Sequence, residues 1–348
     1  MPNIDELKKL HKMAFGDSDE YIDFFFKNRY IPQFSYVEES NNKIISVAYT
    51  RFINLFINSK DIKIPFLNGI ATHPNFRYQG YSKKVINQAL SHLEVHGFPF
   101  VLLHPFEHSF YENLGFTTIS YVDKKTISNT PPTLIFPKDS FLKLNNDNYT
   151  VSQINFDSLD DINIIYETKA KQYLAYNNRT LKEWENILIE HLSDNGFGYL
   201  IYKNMIPISY ILIYSNNTVR ELVTLDYNIL NHIDFLNNKI FIDFSSQSYK
   251  YTMGKILSIS KSLYYLPFND IISGYFNIEC EGELFSIKVK KGHVLSVQPI
   301  VNLNDYQLLS FTKSSLLKTI FGLSKLTNLE TSKANIFKEF SLFLFDTY

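Results

Sequence analysis

Apolar residues recur at helical spacing over Ile4–Phe15 and again from Asp19 to about Asn28, with a polar break at Gly16-Asp17-Ser18-Asp19 between them. Ser18 or Asp17 is placed to cap the second helix, and Glu20 lies in its first turn. The period then shortens to two. Tyr36–Glu39, Lys43–Phe52 and Asp61–Thr72 read as strands, the first pair joined by the turn signal Ser40-Asn41-Asn42. Pro74 stops the third strand, and from Tyr81 helical spacing returns in Val85, Ile86, Ala89, Leu90 and Leu93 until Gly97 ends it after His96. A buried strand over Phe100–His104 and a short helix ending in Phe110-Tyr111-Glu112-Asn113-Leu114-Gly115-Phe116 complete the first third.

Thr126 to Thr133, rich in Ser, Asn, Thr and Pro, reads as a linker. Beyond it, Asn155–Lys169 and Thr180–Ser193 are predicted helices, the second with Thr180 as N-cap, and Tyr199–Tyr202, Ile206–Tyr214 and Thr218–Asp226 are predicted strands. The pattern changes again from about Gln247. Gly274–Val289 and Leu295–Pro299 alternate as strands around turns at Glu281-Gly282 and Lys291-Gly292, and Leu308–Leu323 reads as a helix with one apolar face. The final residues, Phe340 to Tyr348, stay apolar; a segment that inserts into a site and a last sheet-edge strand are both open readings.

A chain of 348 residues calls for two or three domains, and 45% hydrophobic residues suffice for full cores. Most of the 30 Phe and 24 Tyr are expected inside. The net charge of −1 offers no field for nucleic acid or a membrane surface. The single Cys280 has no partner for a disulfide and reads as a small buried hydrophobe. His92 and His96 stand four apart on one helix, yet His-Leu-Glu-Val-His lacks the Glu beside the first His of a zincin, so no metal is expected. The start of the chain, charged in both signs, does not read as a signal peptide, and no uncharged apolar run is long enough to span a bilayer. A cytoplasmic protein is the simple reading.

The stretch with chemical content is Arg77-Tyr78-Gln79-Gly80-Tyr81-Ser82, between a strand and a helix. Gly80 lacks a Cβ and tolerates close approach, the following helix brings unpaired N–H groups and the positive end of its dipole, and Arg77 and Lys83 add formal charge. Such a loop is either a plain turn or a pyrophosphate cradle.

In its order of elements this region resembles the acetyl-CoA-binding half of the GCN5-related N-acetyltransferases (GNAT), whose loop reads Gln/Arg-x-x-Gly-x-Gly/Ala; Arg77, Gly80 and Ser82 fill those positions, Ser82 departing from Gly/Ala while remaining small. Within that superfamily the chain is most similar to the Eis-type (enhanced intracellular survival) enzymes. Tyr249 to Ile256 resembles the strand that opens their C-terminal domain. The resemblance implies an α/β fold of mixed sheets: a catalytic GNAT domain at 1–126, a central GNAT-like domain without its own cofactor loop at 127–246, and a sterol carrier protein-like α+β domain at 247–348.

It also implies acetyl-CoA as co-substrate, held by Ile70, Ala71 and Thr72 of a strand that splays from its neighbour, and by Arg77, Tyr78, Gln79, Gly80, Tyr81, Ser82 and Lys83 of the loop and helix start. Where many Eis-type loops carry three consecutive Arg, this one has Arg77-Tyr78-Gln79, which leaves fewer cations but the same backbone. Tyr111 is implied as the donor to the departing thiolate, and the C-terminal carboxylate of Tyr348 as acceptor of the amine proton; His73, His104 and His108 are competing bases. The helix from Asp19 is either a core face or a wall of the acceptor pocket, with Asp19, Glu20 and Asp23 meeting a cationic amine. Acetylation of primary amines, such as aminoglycosides, lysine or polyamines, is the leading expectation. A non-catalytic acyl-CoA or lipid sensor and an aminoacyl-transferring enzyme are the alternatives. Kinship alone implies a hexamer.

Overall fold

The computed structural model describes residues 2–128, 140–144, 147–215, 218–226, 234–235, 238–239, 241–323, 336–338 and 342–343. The fold is mixed α/β. It divides into two compact units, one of Met1–Tyr121, Leu174–Asn177 and Lys250–Leu344, the other chiefly of Val122–Tyr173 and Asn178–Tyr249. The first and third of the three stretches expected from sequence thus lie in one unit.

The first unit opens with α1 (Ile4–Phe15), whose N-cap Asn3 accepts from the Asp5 and Glu6 N–H groups and whose C-cap Gly16 is left-handed. In α2 (Asp19–Asn28), Ser18 caps by accepting from the Tyr21 N–H. Leu7, Leu10 and Phe25 of these helices bury against Val47, Tyr49 and Ala71 of the sheet beneath. That sheet begins as a meander, β1 (Ser35–Ser40), β2 (Lys43–Ile57) and β3 (Lys60–Thr72). Asn41 and Asn42 both take positive φ at the first hairpin, the conformation that a two-residue turn matched to strand twist requires. β2 runs past its expected end at Phe52: Ile53, Leu55 and Ile57 are buried, and Leu55–Ile57 pairs antiparallel with Ala175–Asn177. Leu342–Phe343 in turn lies parallel to Ala175 and Tyr176.

After the meander comes α3 (Tyr81–Val95), which buries Val85, Ile86, Ala89, Leu90 and Leu93 over Val101 and Leu103 of β4 (Phe100–Leu103). Each of the two leucines contributes about 1.5–3 kcal/mol by that burial. The short α4 (His108–Glu112) and β5 (Thr117–Thr118) follow. Between β4 and β5 lies Met253–Ile256, antiparallel to both. A Cβ on Gly254 would stand 2.8 Å from Leu102 and 3.0 Å from Leu317, so only bare backbone fits there.

The same unit carries a four-stranded sheet in the order His293–Pro299, Glu283–Lys290, Gly274–Cys280, Gln307–Phe311. The helix read over Leu308–Leu323 is a strand followed by a shorter helix. Leu309 and Phe311 are buried while Ser310 is exposed, a period of two, and Thr312 forms a capping box with Ser315 that starts the helix at Lys313–Ile320. Cys280 sits in the core, where burial above all, then Glu281 and Glu279, pushes its thiol up to about 11.

The second unit is built on a five-stranded antiparallel sheet, Val219–Thr224, Ile206–Ile213, Phe197–Lys203, Asp147–Gln153 and Ser140–Leu144 in that order, with helices Leu159–Ala170 and Leu181–Ser193. The first of these helices packs on the two strands at the near edge. Of the expected linker, Thr126 to Ser128 continue a strand, Tyr121–Ser128; the positions after it lie outside the described residues. No helix among the described residues is long and apolar enough to cross a membrane.

Candidate functional site

The site forms where β3 leaves its neighbours. β3 and β4 run parallel but pair only at Phe66 with Leu102 and Leu67 with Leu103, while β3 continues five residues to Thr72. On its other edge, β3 bulges: Tyr49 faces Asn68 and Val47 faces Ala71, so that Gly69 and Ile70 together oppose Ala48. Gly69 has φ +55, and a Cβ there would lie 2.6 Å from the Tyr49 ring, so the bulge requires glycine. The extra residue sends Ile70 to the α3 side of the sheet and Ala71 to the α1–α2 side.

Beyond Thr72 the chain makes one tight turn, Pro74–Phe76, capped by His73, whose Nδ1 accepts from the Asn75 N–H at 3.2 Å. Arg77 Nε donates to the Thr72 carbonyl at 3.3 Å, and Gln79 Nε2 to the Asn75 carbonyl at 3.3 Å. Tyr78 and Gly80 then take φ +61 and +82. A Cβ on Gly80 would meet nothing within 4 Å, and α3 starts there with no side chain capping its first turn. A helix of 15 residues therefore presents its first N–H groups and positive dipole end to open space.

Ser82 is held by a hydroxyl chain. Ser46 Oγ donates to the Ala71 carbonyl at 2.9 Å, so it accepts from Thr72 Oγ1 at 2.8 Å, which in turn accepts from Ser82 Oγ at 2.8 Å. This chain ties the first turn of α3 to β3 and β2. It gives a physical reason for a hydroxyl where the loop pattern has Gly or Ala.

A cavity of about 580 Å³ lies over this helix start. Ile70, Ala71, Thr72, Arg77, Tyr78, Gly80, Tyr81, Ser82 and Lys83 line it, whereas Gln79 of the expected set does not. Ala14 and Phe15 at the end of α1, Phe76, and Phe106, Glu107 and Phe110 around α4 complete the lining. The sequence reading missed these six. For Ala14 and Phe15 the only signal was the helix stop at Gly16, and for Phe106 and Phe110 their crowding before Tyr111.

Tyr111 is 2% exposed and lies edge-on to Phe110, Phe106 and Phe116 at 5.0, 5.6 and 5.8 Å between centroids. Burial raises its phenol well above the ordinary range, so the group holds its proton at neutral pH. Tyr111 does not itself line the cavity; its neighbours Phe106 and Phe110 do. Glu107 is fully exposed on the cavity wall, and the backbone N–H and then the hydroxyl of Ser109 hold its carboxyl below the usual carboxylate range, with a smaller contribution from His108.

Of the competing bases, His73 uses Nδ1 in its cap. His104 lies between Phe66 and Tyr251, at 4.9 and 4.3 Å, with Thr252 Oγ1 3.5 Å from its Nδ1. His108 has its Nε2 buried. Tyr348 lies outside the described residues. The face of α2 resolves towards core: Ile22, Phe24 and Phe25 are buried, and Asp19 and Asp23 form exposed ion pairs with Lys12 and Lys8, each at 2.6 Å. On the far side of α3, His92 Nδ1 bonds the Tyr36 hydroxyl at 2.9 Å and the His92 and His96 rings meet edge to face at 4.2 Å.

The uncapped helix start, the glycine with no Cβ and the flanking Arg77 and Lys83 fit a diphosphate, and the divergence of β3 from β4 leaves a slot beside it for a slender arm.

Comparison with known proteins agrees. Residues 2–119 match the family model described as acetyltransferase (GNAT) domain. No curated relative matches at the sequence level. Among solved structures, the chain is similar to a conserved protein of unknown function, probable N-acyltransferase, from Enterococcus faecalis V583, at 13% identity and a TM-score of 0.74 over 99% of this chain and 97% of that one. A GCN5-related N-acetyltransferase from Anabaena variabilis ATCC 29413 gives 15% and 0.71, with 99% and 97% covered. Eis1 from Mycobacterium abscessus gives 12% and 0.69, with 100% and 99% covered. At these identities the structural matches show the fold. The family match makes residues 2–119 an enzyme domain, an acetyltransferase of the GNAT type, and that fold implies acetyl-CoA as co-substrate.

Proposed function

We propose, with the GNAT-type acetyltransferase domain over residues 2–119 as premise, that the protein transfers the acetyl group of acetyl-CoA directly to a primary amine of the aminoglycoside, lysine or polyamine class. The observation that carries this reading is the start of α3: an uncapped first turn behind Gly80 at φ +82, opening on a cavity of about 580 Å³.

In this reading the N–H groups of Tyr81, Ser82 and Lys83 hold the diphosphate, with Arg77 and Lys83 supplying charge. The backbone of Ile70, Ala71 and Thr72 directs the pantetheine arm along the diverging edge of β3, and the N–H of Ile70 or Thr72 stabilises the oxyanion. Acetyl-CoA supplies the activated carbonyl. Tyr111 protonates the departing sulfur, its phenol carrying the proton at neutral pH. The carboxylate of Tyr348 takes the amine proton. Glu107, exposed on the cavity wall and held ionised by Ser109, attracts the incoming cation.

The resemblance to Eis-type enzymes extends the proposal to the rest of the chain. The second unit serves as a GNAT-like copy without a cradle, and the four-stranded sheet after Gly274 belongs to a sterol carrier protein-like scaffold. Supporting the first point, that unit pairs two helices with an antiparallel sheet and has no Arg-x-x-Gly loop before either helix.

Thiol release from acetyl-CoA across a panel of amines tests the whole. Wild type should turn over at least one amine, Tyr111→Phe should lose on the order of 100-fold in kcat with coenzyme affinity retained, and a chain without its last residues should lose activity as well. Turnover unchanged in both variants would reject the proton-transfer roles; coenzyme binding without turnover on any amine would favour the sensor reading.

A further inference from the structure

Tyr78 lines the cavity, yet the proposed function gives its side chain no task. We propose that the Tyr78 ring stacks on the adenine base of the coenzyme, an inference that rests on the reading of this cavity as an acetyl-CoA site. Three observations converge on it.

The first is conformational. Tyr78 holds φ +61, a region disfavoured for any residue with a Cβ and most of all for a bulky one. Of the ten non-glycine residues at positive φ among those described, five are asparagines and Tyr78 is the one aromatic. Asparagine or glycine would hold this turn at less strain, so the backbone alone gives no reason for a ring here.

The second is exposure. Tyr78 is as bare as an isolated residue, at 105% exposure. It gains no burial to offset its strained backbone. Tyr81, three residues on, behaves as a ring in a folded protein usually does, lying edge-on to Phe76 at 6.0 Å with the Lys84 ammonium 4.9 Å from its centroid.

The third is place. Tyr78 lines the cavity between Arg77 and the first turn of α3, two residues before Gly80. A diphosphate seated on that turn carries its base one ribose away, within reach of a ring at this position. A flat, amphipathic ring is the side chain that a base's π face takes most readily, and it orders few torsions on binding.

The test separates the ring from the turn. Tyr78→Gly keeps positive φ without strain and deletes the ring, and Tyr78→Trp keeps a stacking surface. Calorimetric titration of the full chain with CoA and with 4′-phosphopantetheine, which lacks the nucleotide, gives the readout. The inference expects Tyr78→Gly to weaken CoA about tenfold or more, to leave 4′-phosphopantetheine unchanged, and Tyr78→Trp to stay near wild type. CoA affinity that is equal or better in Tyr78→Gly, or an equal loss for both ligands, overturns this inference alone. Failure of the wild type to bind CoA overturns it together with the reading it rests on.

Discussion

Two helix starts in this molecule solve the same problem in opposite ways. In the first unit α3 begins at Gly80 with no side-chain cap, and the residue before it in the loop pattern, Arg77, is exposed. In the second unit the helix Leu181–Ser193 begins at Thr180 with a complete capping box: Thr180 Oγ1 accepts from the Glu183 N–H at 3.2 Å, and Glu183 Oε2 accepts from the Thr180 N–H at 2.6 Å. The arginine preceding that start, Arg179, is 4% exposed, binds Glu221 through two bonds of 2.8 and 3.0 Å, and lies 4.4 and 4.5 Å from the Tyr166 and Trp184 centroids. Tyr210 donates to the same carboxylate. One start leaves its N–H groups without a side-chain cap. The other spends them, with a carboxylate already in the anion's place.

The contrast can be broken from either side, and the largest effect is expected at the closed end. Arg179→Met leaves the Glu221 carboxylate buried beside Tyr210 with no cation, and removal of one partner of such a pair costs about 3–5 kcal/mol. Urea unfolding should show that loss, with CoA affinity unaltered; a change below 1 kcal/mol would mean that the pair contributes little.

Next comes pH. His191 is fully buried and donates from Nε2 to the Phe197 carbonyl at 3.0 Å. Burial chiefly, with the Arg220 charge adding and the Phe197 bond opposing, lowers its pKa to about 4. Below pH 6.5 the unfolded chain binds a proton that the folded unit refuses, so this stability is complete above about 6.5 and is lost as pH falls towards 4, by up to roughly 3 kcal/mol. Thermal unfolding between pH 7 and 4 should show the slope, and His191→Asn should flatten it.

At the open end, Gly80→Asp gives α3 the cap it lacks, since aspartate tolerates positive φ better than most residues and its carboxylate competes for the first-turn N–H groups. CoA should bind about 100-fold more weakly, with the chain still folded but its melting temperature somewhat lowered by a side chain at φ +82; unaltered affinity would remove the cradle. Thr180→Ala is the smallest of the four, with about 1 kcal/mol of stability lost and no gain in coenzyme binding.

What could be read in advance followed from how local each cause is. The meander, α1, α2 and α3 were legible because their turn residues and caps lie within a few positions of the elements they bound, as with Asn41-Asn42, Ser18 and Gly97. Residues of the cavity lining, Ile70 to Thr72 and Gly80 to Lys83, were expected from the family resemblance, since the loop spacing alone left a plain turn and a cradle both open. The insertion of Met253–Ile256 between β4 and β5 was not, because its partners lie about 150 positions upstream and the enabling feature is one missing Cβ at Gly254. Leu309 and Phe311 misled for another reason: in a run of Leu-Leu-Ser-Phe, periods of two and of 3.6 place apolar residues almost alike, and the cap at Thr312 had to decide. The Gly69 bulge, which sets how β3 presents its edge, depends on contact with Tyr49 across the sheet.

The most direct measurement is a backbone amide NMR titration of the full chain with CoA. The account predicts that the amides of Gly80 to Lys83 shift at saturable concentrations, while those of Leu181 to Glu183 stay still behind their capping box. Shifts confined to residues away from the start of α3, or equal shifts at both helix starts, would contradict it.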